Sequence, residues 1–522
     1  MSEKQLRGIM IDISRGQVPR IKTLKRMIDI ASRSDLNFLS LYIEHTFQFK
    51  DHPIIWKATG AMSSSDIKHL IAYAKRKGIE IIPSIQAMGH FENILKHKEY
   101  ACLSESSLYY SLAPALKGSY RLLEDMIRDI TDVFQSEYIN IGCDEIWDIA
   151  KGKSRRLASE KGGPQSLFVE HIKRIYKIVK QYNKKCMMWG DMLFNLGKYA
   201  KQIPPDMIIL NWYYEDAGIK EFTKRLSFFQ KIKMTQMICP GASTWTTLFP
   251  LVAKAAVNVS NFTKAGQAFN NIKGFMITTW GDRGNFNFLG EALPAFLFFA
   301  RCINTKEKKI NHDQLYRDLW QWKTGTKLFS MFCFFSGLWQ KLEFKSFYDM
   351  FTACWNRGVM KHTVDRLERK KDHIRSILGQ AVMFRKGMKG IRPGRFKIFF
   401  REIVYKMSFC IHFLEKILFF IEARENYGTA YQNLPDSRVV LPRLKSIREA
   451  FKKLYRSEKH LRKKFAGLWK KSYRRPGLKV NVDRFLAWER YLKSKAAQTS
   501  KLISGYRKKG GTLPKPVTFL DF

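Results

Sequence analysis

The chain has 522 residues and a mass of 61.2 kDa, and 45% of its residues are hydrophobic. This is more than one average domain needs and enough to bury a sizeable core. Its 92 Lys and Arg outnumber 46 Asp and Glu, for a formal net charge of +46, so the surface should attract acidic partners whatever the fold.

The cysteine pattern indicates neither a zinc-binding domain nor a disulfide-stabilised domain. No cysteine belongs to a Cys-x-x-Cys pair and most stand in apolar runs, so we predict reduced core thiols without a zinc site or a disulfide framework. They are Cys102, Cys143, Cys186, Cys239, Cys302, Cys333, Cys354 and Cys410.

The hydropathy pattern indicates neither a membrane protein nor a secreted one. The N-terminus has no apolar segment followed by a small-residue cleavage site, which predicts a cytoplasmic protein. The most apolar helical stretch, residues 398–423, carries Arg401, Glu402, Lys406 and other charges. Because such charges are costly in a bilayer centre, we predict a buried or interfacial helix there.

Strand-like and helix-like segments alternate from residue 8 to about residue 303, the order typical of a parallel sheet covered by helices. The eight predicted strands are residues 8–13, 38–43, 79–85, 138–143, 186–190, 207–212, 234–240 and 274–280. Eight such units over about 300 residues predict an α/β fold, a (β/α)8 TIM barrel. The alternative, an open doubly wound sheet, lacks its Gly-rich turn, because SRGQVP follows the first strand.

Beyond the barrel the pattern changes to long helical stretches. We predict a catalytic barrel over residues 1–303, a basic and mainly helical domain over 304–510, and a loose tail over 511–522. Residues 361–522 hold 41 of the Lys and Arg but 13 of the Asp and Glu. Most of the excess positive charge therefore lies in the helical part.

Polar and aromatic side chains follow nearly every predicted strand, where barrel active sites are built. They are Asp12, Arg15, Glu44, His45, His90, Asp144, Glu145, Asp191, Tyr214, Asp216, Trp245, Trp280 and Asp282.

The adjacent acids Asp144 and Glu145 are the sharpest feature of this set. Neighbouring side chains on a strand point to opposite faces, so both can face one cavity only if the strand ends between them. Two carboxyl groups at a barrel rim suit glycosidic cleavage, and their proximity raises the pKa of one of them. The alternative is a solvated acidic loop or a helix N-terminus, where acids are also favoured.

An ordered set of motifs resembles the catalytic barrel of glycoside hydrolase family 20, the β-N-acetylhexosaminidases. The motifs are IMIDISR (9–15), PSIQAMGH (83–90), NIGCDE (140–145), WGD (189–191), WYYED (212–216) and TTWGD (278–282). The resemblance covers residues 7–303 and implies a retaining enzyme in which the substrate's 2-acetamido group is the nucleophile. Such a mechanism requires a carbohydrate substrate with that group and no metal or organic cofactor.

The resemblance implies roles for four residues. Glu145 is similar to the general acid and base, and Asp144 to the residue that holds the acetamido N–H and offsets the oxazolinium charge. Arg15 matches the clamp on the sugar hydroxyls, and His90 matches a histidine that supports the acidic pair.

The remaining expected substrate contacts line the same rim. Tyr214 and Asp216 match a Tyr-x-Asp motif that binds the acetamido oxygen and sugar hydroxyls, with Tyr213 as a rival for Tyr214. Flat aromatic faces suit an acetamido methyl group and a pyranose ring. The other expected contacts are Trp189, Trp212 and Trp280 as pocket walls, with Asp191, Trp245 and Asp282 beside them.

The chain departs from the family pattern in three ways. Asn140 stands where the family often has His, and Cys143 where it often has Gly. The barrel starts without a preceding α+β domain, which indicates the shorter form of the family. The basic helical region is unexplained by the resemblance.

Four further hypotheses remain open at this point. The helical region, with basic and aromatic segments such as KKLYR and KKFAGLWKKSYRR (463–475), could bind a polyanion through charge. The same charge is also compatible with a solvated basic surface or with a preference for acidic glycans. The barrel itself could be an inactive, sugar-binding one.

Overall fold

A computed structural model describes residues 5–304, 311, 313–315, 317, 328–391, 393–508 and 511–516. Its first half is a closed barrel of eight parallel strands in the order β1 to β8, with β8 pairing back onto β1. The strands are β1 Leu6–Asp12, β2 Phe38–Tyr42, β3 Glu80–Ser84, β4 Tyr138–Asn140, β5 Lys185–Trp189, β6 Ile208–Trp212, β7 Thr235–Cys239 and β8 Ile272–Thr279. The predicted (β/α)8 barrel is confirmed.

Large side chains fill the interior of the barrel. Met10, Tyr42, Met187, Trp189 and Met237 belong to one buried cluster inside the ring of strands. Because the interior is packed, any ligand has to bind at the rim of the barrel and not within it.

Amphipathic helices cover the outside of the barrel. Those of eight or more residues are α1 Ile21–Arg33, α2 Ser64–Lys75, α3 Lys117–Thr131, α4 Pro164–Gln181, α5 Ile219–Lys231, α6 Val252–Gly266 and α7 Leu293–Asn304. Shorter helices are Pro53–Trp56, Glu92–Leu95, Lys98–Ala101 and Arg155–Glu160. After β5, two 3-10 helices, Asp191–Asn195 and Gly197–Gln202, stand in the place of a barrel helix.

The start of α2 shows how local sequence sets a helix boundary. The Ser63 hydroxyl accepts a hydrogen bond from the backbone N–H of Asp66, and the Asp66 carboxylate accepts one from the backbone N–H of Ser63. This capping box satisfies two backbone donors that the first turn of a helix leaves open.

The second half of the chain is helical in the described residues. Its longer helices are α8 Leu328–Ser336, α9 Phe347–Trp355, α10 Arg357–Leu367, α11 Lys371–Gly387, α12 Lys397–Gln432, α13 Ser437–Ser472 and α14 Leu478–Lys508, with Leu338–Lys341 as a short turn. The apolar stretch at 398–423 lies in α12, and most of it is buried, as predicted. No described helix has the length and apolarity needed to cross a bilayer.

The helical region packs on the rim loops of the barrel. The backbone N–H of Leu289 donates to the Tyr473 hydroxyl at 2.6 Å, and Asn481 donates to the carbonyl of Gly284 after β8. Gly477 lies against Gly16, so closely that a Cβ at 477 would be 1.5 Å from the Gly16 carbonyl oxygen. The C-terminal helices therefore help to hold the loops that follow β1 and β8.

The cysteines are free thiols and most are buried or half-buried. Cys102 is the exception, because it is exposed after a short helix, so the expectation of a core thiol is wrong there. Of the predicted tail, residues 517–522 lie outside the described residues.

Candidate active site

The loops at the carboxyl ends of the strands enclose a cavity of about 140 Å³. It is lined by Arg15, His90, Asp144, Glu145, Trp212, Tyr214, Trp245, Trp280 and Asp282. Of the other residues expected to bind substrate, Trp189 is fully buried behind this wall and Asp191 lies beneath Glu145. Asp216 is exposed and does not line the cavity.

The loop after β4 brings both acids to the cavity. The strand ends at Asn140, earlier than the predicted end at Cys143. Gly142, Cys143 and Glu145 then have φ values of +71°, +65° and +52°, a conformation that most side chains disfavour. This reversal of the backbone, rather than a strand end, turns the neighbouring carboxyl groups toward one space.

Two side chains hold the Asp144 carboxylate. Gln86 Nε2 donates to Oδ1 at 2.8 Å, and His90 Nε2 lies 3.4 Å from Oδ2. Burial opposes ionisation, but the charge and hydrogen bond of His90 together with the Gln86 bond keep the pKa of Asp144 below its usual value. Asp144 is therefore an anion at neutral pH.

Glu145 lies in the same cavity with the opposite tendency. Its side chain is 38% exposed and its Oε2 is 3.6 Å from His90 Nε2. Burial, followed by the negative charge of Asp144, raises the pKa of Glu145 above its usual value. Adjacent carboxyl groups with pKa values pushed apart can serve as proton donor and anion.

Asp191 fixes the backbone at this position. Its carboxylate accepts from the Glu145 backbone N–H at 2.9 Å and from Trp212 Nε1 at 3.3 Å. Burial and the charge of Asp144 raise the pKa of Asp191 to about 7. Asp191 thus connects the acidic loop to the wall formed after β6.

His90 lies between the two acids and carries their countercharge. Burial alone would lower its pKa, but Asp144 raises it to about 9. Its backbone has a φ of +57°, and the Tyr110 hydroxyl lies 3.2 Å from its ring nitrogens. The imidazole is therefore protonated at neutral pH.

Arg15 closes the other side of the cavity. Its guanidinium contacts Asp12 at 2.9 Å, Glu44 at 3.4 Å and Asp282 at 3.5 Å. The same group lies 5.3 Å from the centre of the Trp280 ring. Surrounding acids fix the guanidinium in place, and a fixed guanidinium can bind sugar hydroxyls with little loss of side-chain entropy.

Aromatic rings form the remaining wall. Trp280 Nε1 donates to the Tyr214 hydroxyl oxygen at 2.8 Å, and the Tyr214 ring stacks on Trp212 with 5.0 Å between centroids. Trp245 meets Tyr214 edge-on at 5.0 Å. Tyr213 instead packs against Phe222 on the helix side, so Tyr214 is the tyrosine that faces the cavity.

Two residues that hold Asp144 or His90 in place have little signal in the sequence. Gln86 stands inside the motif at 83–90, but a glutamine there could equally face solvent. Tyr110 belongs to the segment between β3 and α3 and follows no strand. Its approach to His90 depends on loop folding that no local pattern specifies.

The same cluster has the donor types of a metal site. Within the described part of the chain, His90, Asp144 and Glu145 offer ligand atoms within 4.8 Å of one another. A metal needs the neutral imidazole, whereas the pKa of His90 is raised to about 9. The cluster is thus better suited to a protonated histidine bridging two carboxyl groups.

Comparison with known proteins shows that the barrel is similar to those of glycosidases. Residues 5–227 match the family model described as glycosyl hydrolase family 20, catalytic domain. Hexosaminidase D of Homo sapiens is 24% identical over 316 residues, covering 57% of this chain and 65% of the human protein. Hexosaminidase D of Bos taurus is 23% identical over 305 residues, covering 55% of this chain and 88% of the bovine protein.

A solved structure is similar in fold over a larger part of the chain. The chitobiase of Flavobacterium johnsoniae superposes with a TM-score of 0.50 at 14% identity, covering 81% of this chain and 75% of that chain. At this identity the match bears on the fold alone. It reaches beyond the barrel into the helical half.

Proposed function

We propose that this protein, whose residues 5–227 match the family model of glycosyl hydrolase family 20, is a retaining exo-β-N-acetylhexosaminidase that removes terminal β-linked GlcNAc or GalNAc. One observation carries the proposal. Asp144 and Glu145 share a cavity walled by aromatic rings, and their pKa values shift in opposite directions. The lowered one suits an anion that stays charged, and the raised one suits a proton donor.

The first step would use the substrate's own acetamido group. Glu145 donates its proton to the glycosidic oxygen as the bond from that oxygen to C1 breaks, while the acetamido carbonyl oxygen bonds to C1. The Asp144 carboxylate accepts the acetamido N–H and offsets the positive charge of the oxazolinium ion. Gln86 and His90 hold that carboxylate.

The second step would return the enzyme to its starting state. Glu145, now a carboxylate, takes a proton from water as the water oxygen attacks C1 and the oxazoline ring opens. Two inversions at C1 give net retention. No co-reactant other than water is consumed.

Tyr214 and Arg15 would position the sugar. Because Trp280 donates to the Tyr214 oxygen, the Tyr214 hydroxyl can turn its own hydrogen toward the acetamido oxygen. Arg15 would donate to ring hydroxyls beside Asp282. Asp216, matched by motif but exposed, would reach the sugar only after its loop moves.

The decisive experiment compares nitrophenyl β-N-acetylglucosaminide with nitrophenyl β-glucoside. We expect hydrolysis of the first alone, and a fall in kcat/KM of about 10²- to 10⁴-fold in Glu145→Gln, since general acid catalysis contributes about that much. Glu137→Gln, an exposed acid just before β4, is the matched control and should retain full activity. Comparable turnover of the glucoside would contradict the substrate-assisted mechanism, and inertness toward every 2-acetamido glycoside would contradict the activity.

A further inference from the structure

The basic segment at 463–475 does not offer its aromatic rings to a partner. Phe465 and Trp469 are fully buried, and Tyr473 is buried against the barrel. Stacking on nucleic-acid bases requires exposed rings, so this segment lacks that means of recognition. What it presents instead is Lys464, Leu468 and Lys471 along one side of α13.

These residues line an open groove between α12 and α13. The groove has a volume of about 450 Å³ and a mainly apolar surface, with Phe400, Val404, Tyr405 and Leu468 among its lining residues. The buried Tyr405 hydroxyl has no hydrogen-bond partner in the part of the chain that the structure describes. Gly467 leaves space there, because a Cβ at this position would meet no atom within 4 Å.

Positive charges surround the apolar lining. They come from Arg385 of α11, Arg401 of α12, and Lys464 and Lys471 of α13, and none of the described residues that line the groove is acidic. Arg385 donates to the Ser408 hydroxyl at 2.7 Å. Among the described residues, the other three form no ion pair with a carboxylate.

We propose that this groove binds a single-chain anionic amphiphile, with the alkyl chain along the apolar floor and the anionic head group among the four cations. An apolar surface left open to water is unfavourable, and clustered cations attract an anion. A hydrophilic polyanion would leave the apolar lining of the groove exposed to water, and an uncharged lipid would not pair with the four cations. This site lies outside the barrel cavity and does not depend on the proposed glycosidase activity.

Titration calorimetry of the full chain with dodecyl phosphate, below its micelle concentration, tests the proposal. We expect saturable binding at one site, and no binding of inorganic phosphate or dodecanol at the same concentrations. Equal binding of inorganic phosphate would overturn the proposal in favour of a simple anion site, and no binding of dodecyl phosphate would overturn it outright.

Filling the groove gives the sharper test. Gly467→Leu should project into the open space and weaken binding at least tenfold. Gly505→Leu in α14 is the matched control, because Gly505 is also helical and a Cβ added there would likewise meet no atom within 4 Å. Wild-type affinity in a folded Gly467→Leu protein would contradict the assignment of the groove.

Removing charges distinguishes binding at a local site from non-specific attraction to the basic surface. The double variant Lys464→Gln, Lys471→Gln should weaken binding about tenfold, while Lys463→Gln, Lys470→Gln on the same helix should change it less than twofold. The latter lysines are exposed but do not line the groove. Equal losses in the two double variants would show non-specific attraction and overturn the proposal.

Discussion

At the level of single residues, the His90 imidazole affects the ionisation of both Asp144 and Glu145. His90 contacts Asp144 and Glu145 at 3.4 Å and 3.6 Å, and its positive charge lowers the pKa of each. The negative charge of Asp144 acts on Glu145 in the opposite sense. The difference between the two acids thus arises from the hydrogen bonds that His90 and Gln86 make to Asp144, and from the negative charge of Asp144 beside Glu145.

Replacing His90 should move the whole pH profile upward. In His90→Asn the positive charge is lost, so the pKa of Asp144 and the pKa of Glu145 both rise. Asn tolerates the left-handed backbone at this position. Because the acidic limb of kcat/KM follows Asp144 and the alkaline limb follows Glu145, both limbs should shift to higher pH.

The pH dependence of kcat/KM on the nitrophenyl substrate measures this shift. His69→Asn, an exposed histidine on α2, should leave both limbs unchanged. Limbs that stay in place in His90→Asn would show that His90 has only a structural role.

Among the secondary-structure elements, the turn after β4 positions the two acids of the site. Gly142 has a φ of +71°, and a Cβ there would be 2.1 Å from Gln86 Oε1 and 2.8 Å from the Ile85 carbonyl oxygen. Gln86 Oε1 also accepts from the Cys143 backbone N–H at 3.0 Å while its amide holds Asp144. Only glycine allows the segment after β3 and the acidic loop to approach this closely.

Gly142→Ala should therefore harm activity more than backbone strain alone would. A left-handed φ costs a non-glycine residue about 1–2 kcal/mol, and the clash would in addition displace Gln86 from Asp144. Gly78→Ala isolates the strain, because Gly78 has a φ of +68° with no atom within 4 Å.

Urea unfolding midpoints and kcat/KM distinguish the two effects. We expect Gly78→Ala to lose some stability with full activity, and Gly142→Ala to lose more stability and most of its activity. Identical behaviour of the two variants would refute the role assigned to the Gln86 contact.

In the molecule as a whole, buried acids connect the barrel to the helical half. Glu402 of α12 accepts from the Gly290 backbone N–H at 3.0 Å and from the Ser472 hydroxyl at 2.7 Å. Burial raises the pKa of Glu402 to about 8, against the opposing charge of Arg26 on α1. Glu291 nearby also has its pKa raised to about 8 by burial.

These shifts predict that stability falls as the pH rises. A carboxyl group with a folded pKa above its unfolded value near 4.5 favours folding below pH 4.5, and the contribution is lost as the pH rises toward 8. Glu402→Gln removes one group of this kind, so the fall in Tm between pH 5 and pH 8 should be smaller.

Thermal unfolding followed by circular dichroism across this range tests the prediction. Glu415→Gln on the same helix, with a half-buried side chain, should keep the wild-type slope. A wild-type slope in Glu402→Gln would contradict the interpretation.

The barrel could be predicted from the sequence, because strand and helix patterns are local and eight alternations leave few ways to bury their apolar faces. The sequence also placed the rim residues, since side chains after parallel strands meet at one end of the sheet. Which of these residues face the cavity depends on how the loops fold. Tyr214 does and Asp216 does not, and Gln86 reaches Asp144 across 58 positions of chain. These outcomes depend on backbone turns and on contacts between distant segments, and no local pattern of residues encodes them.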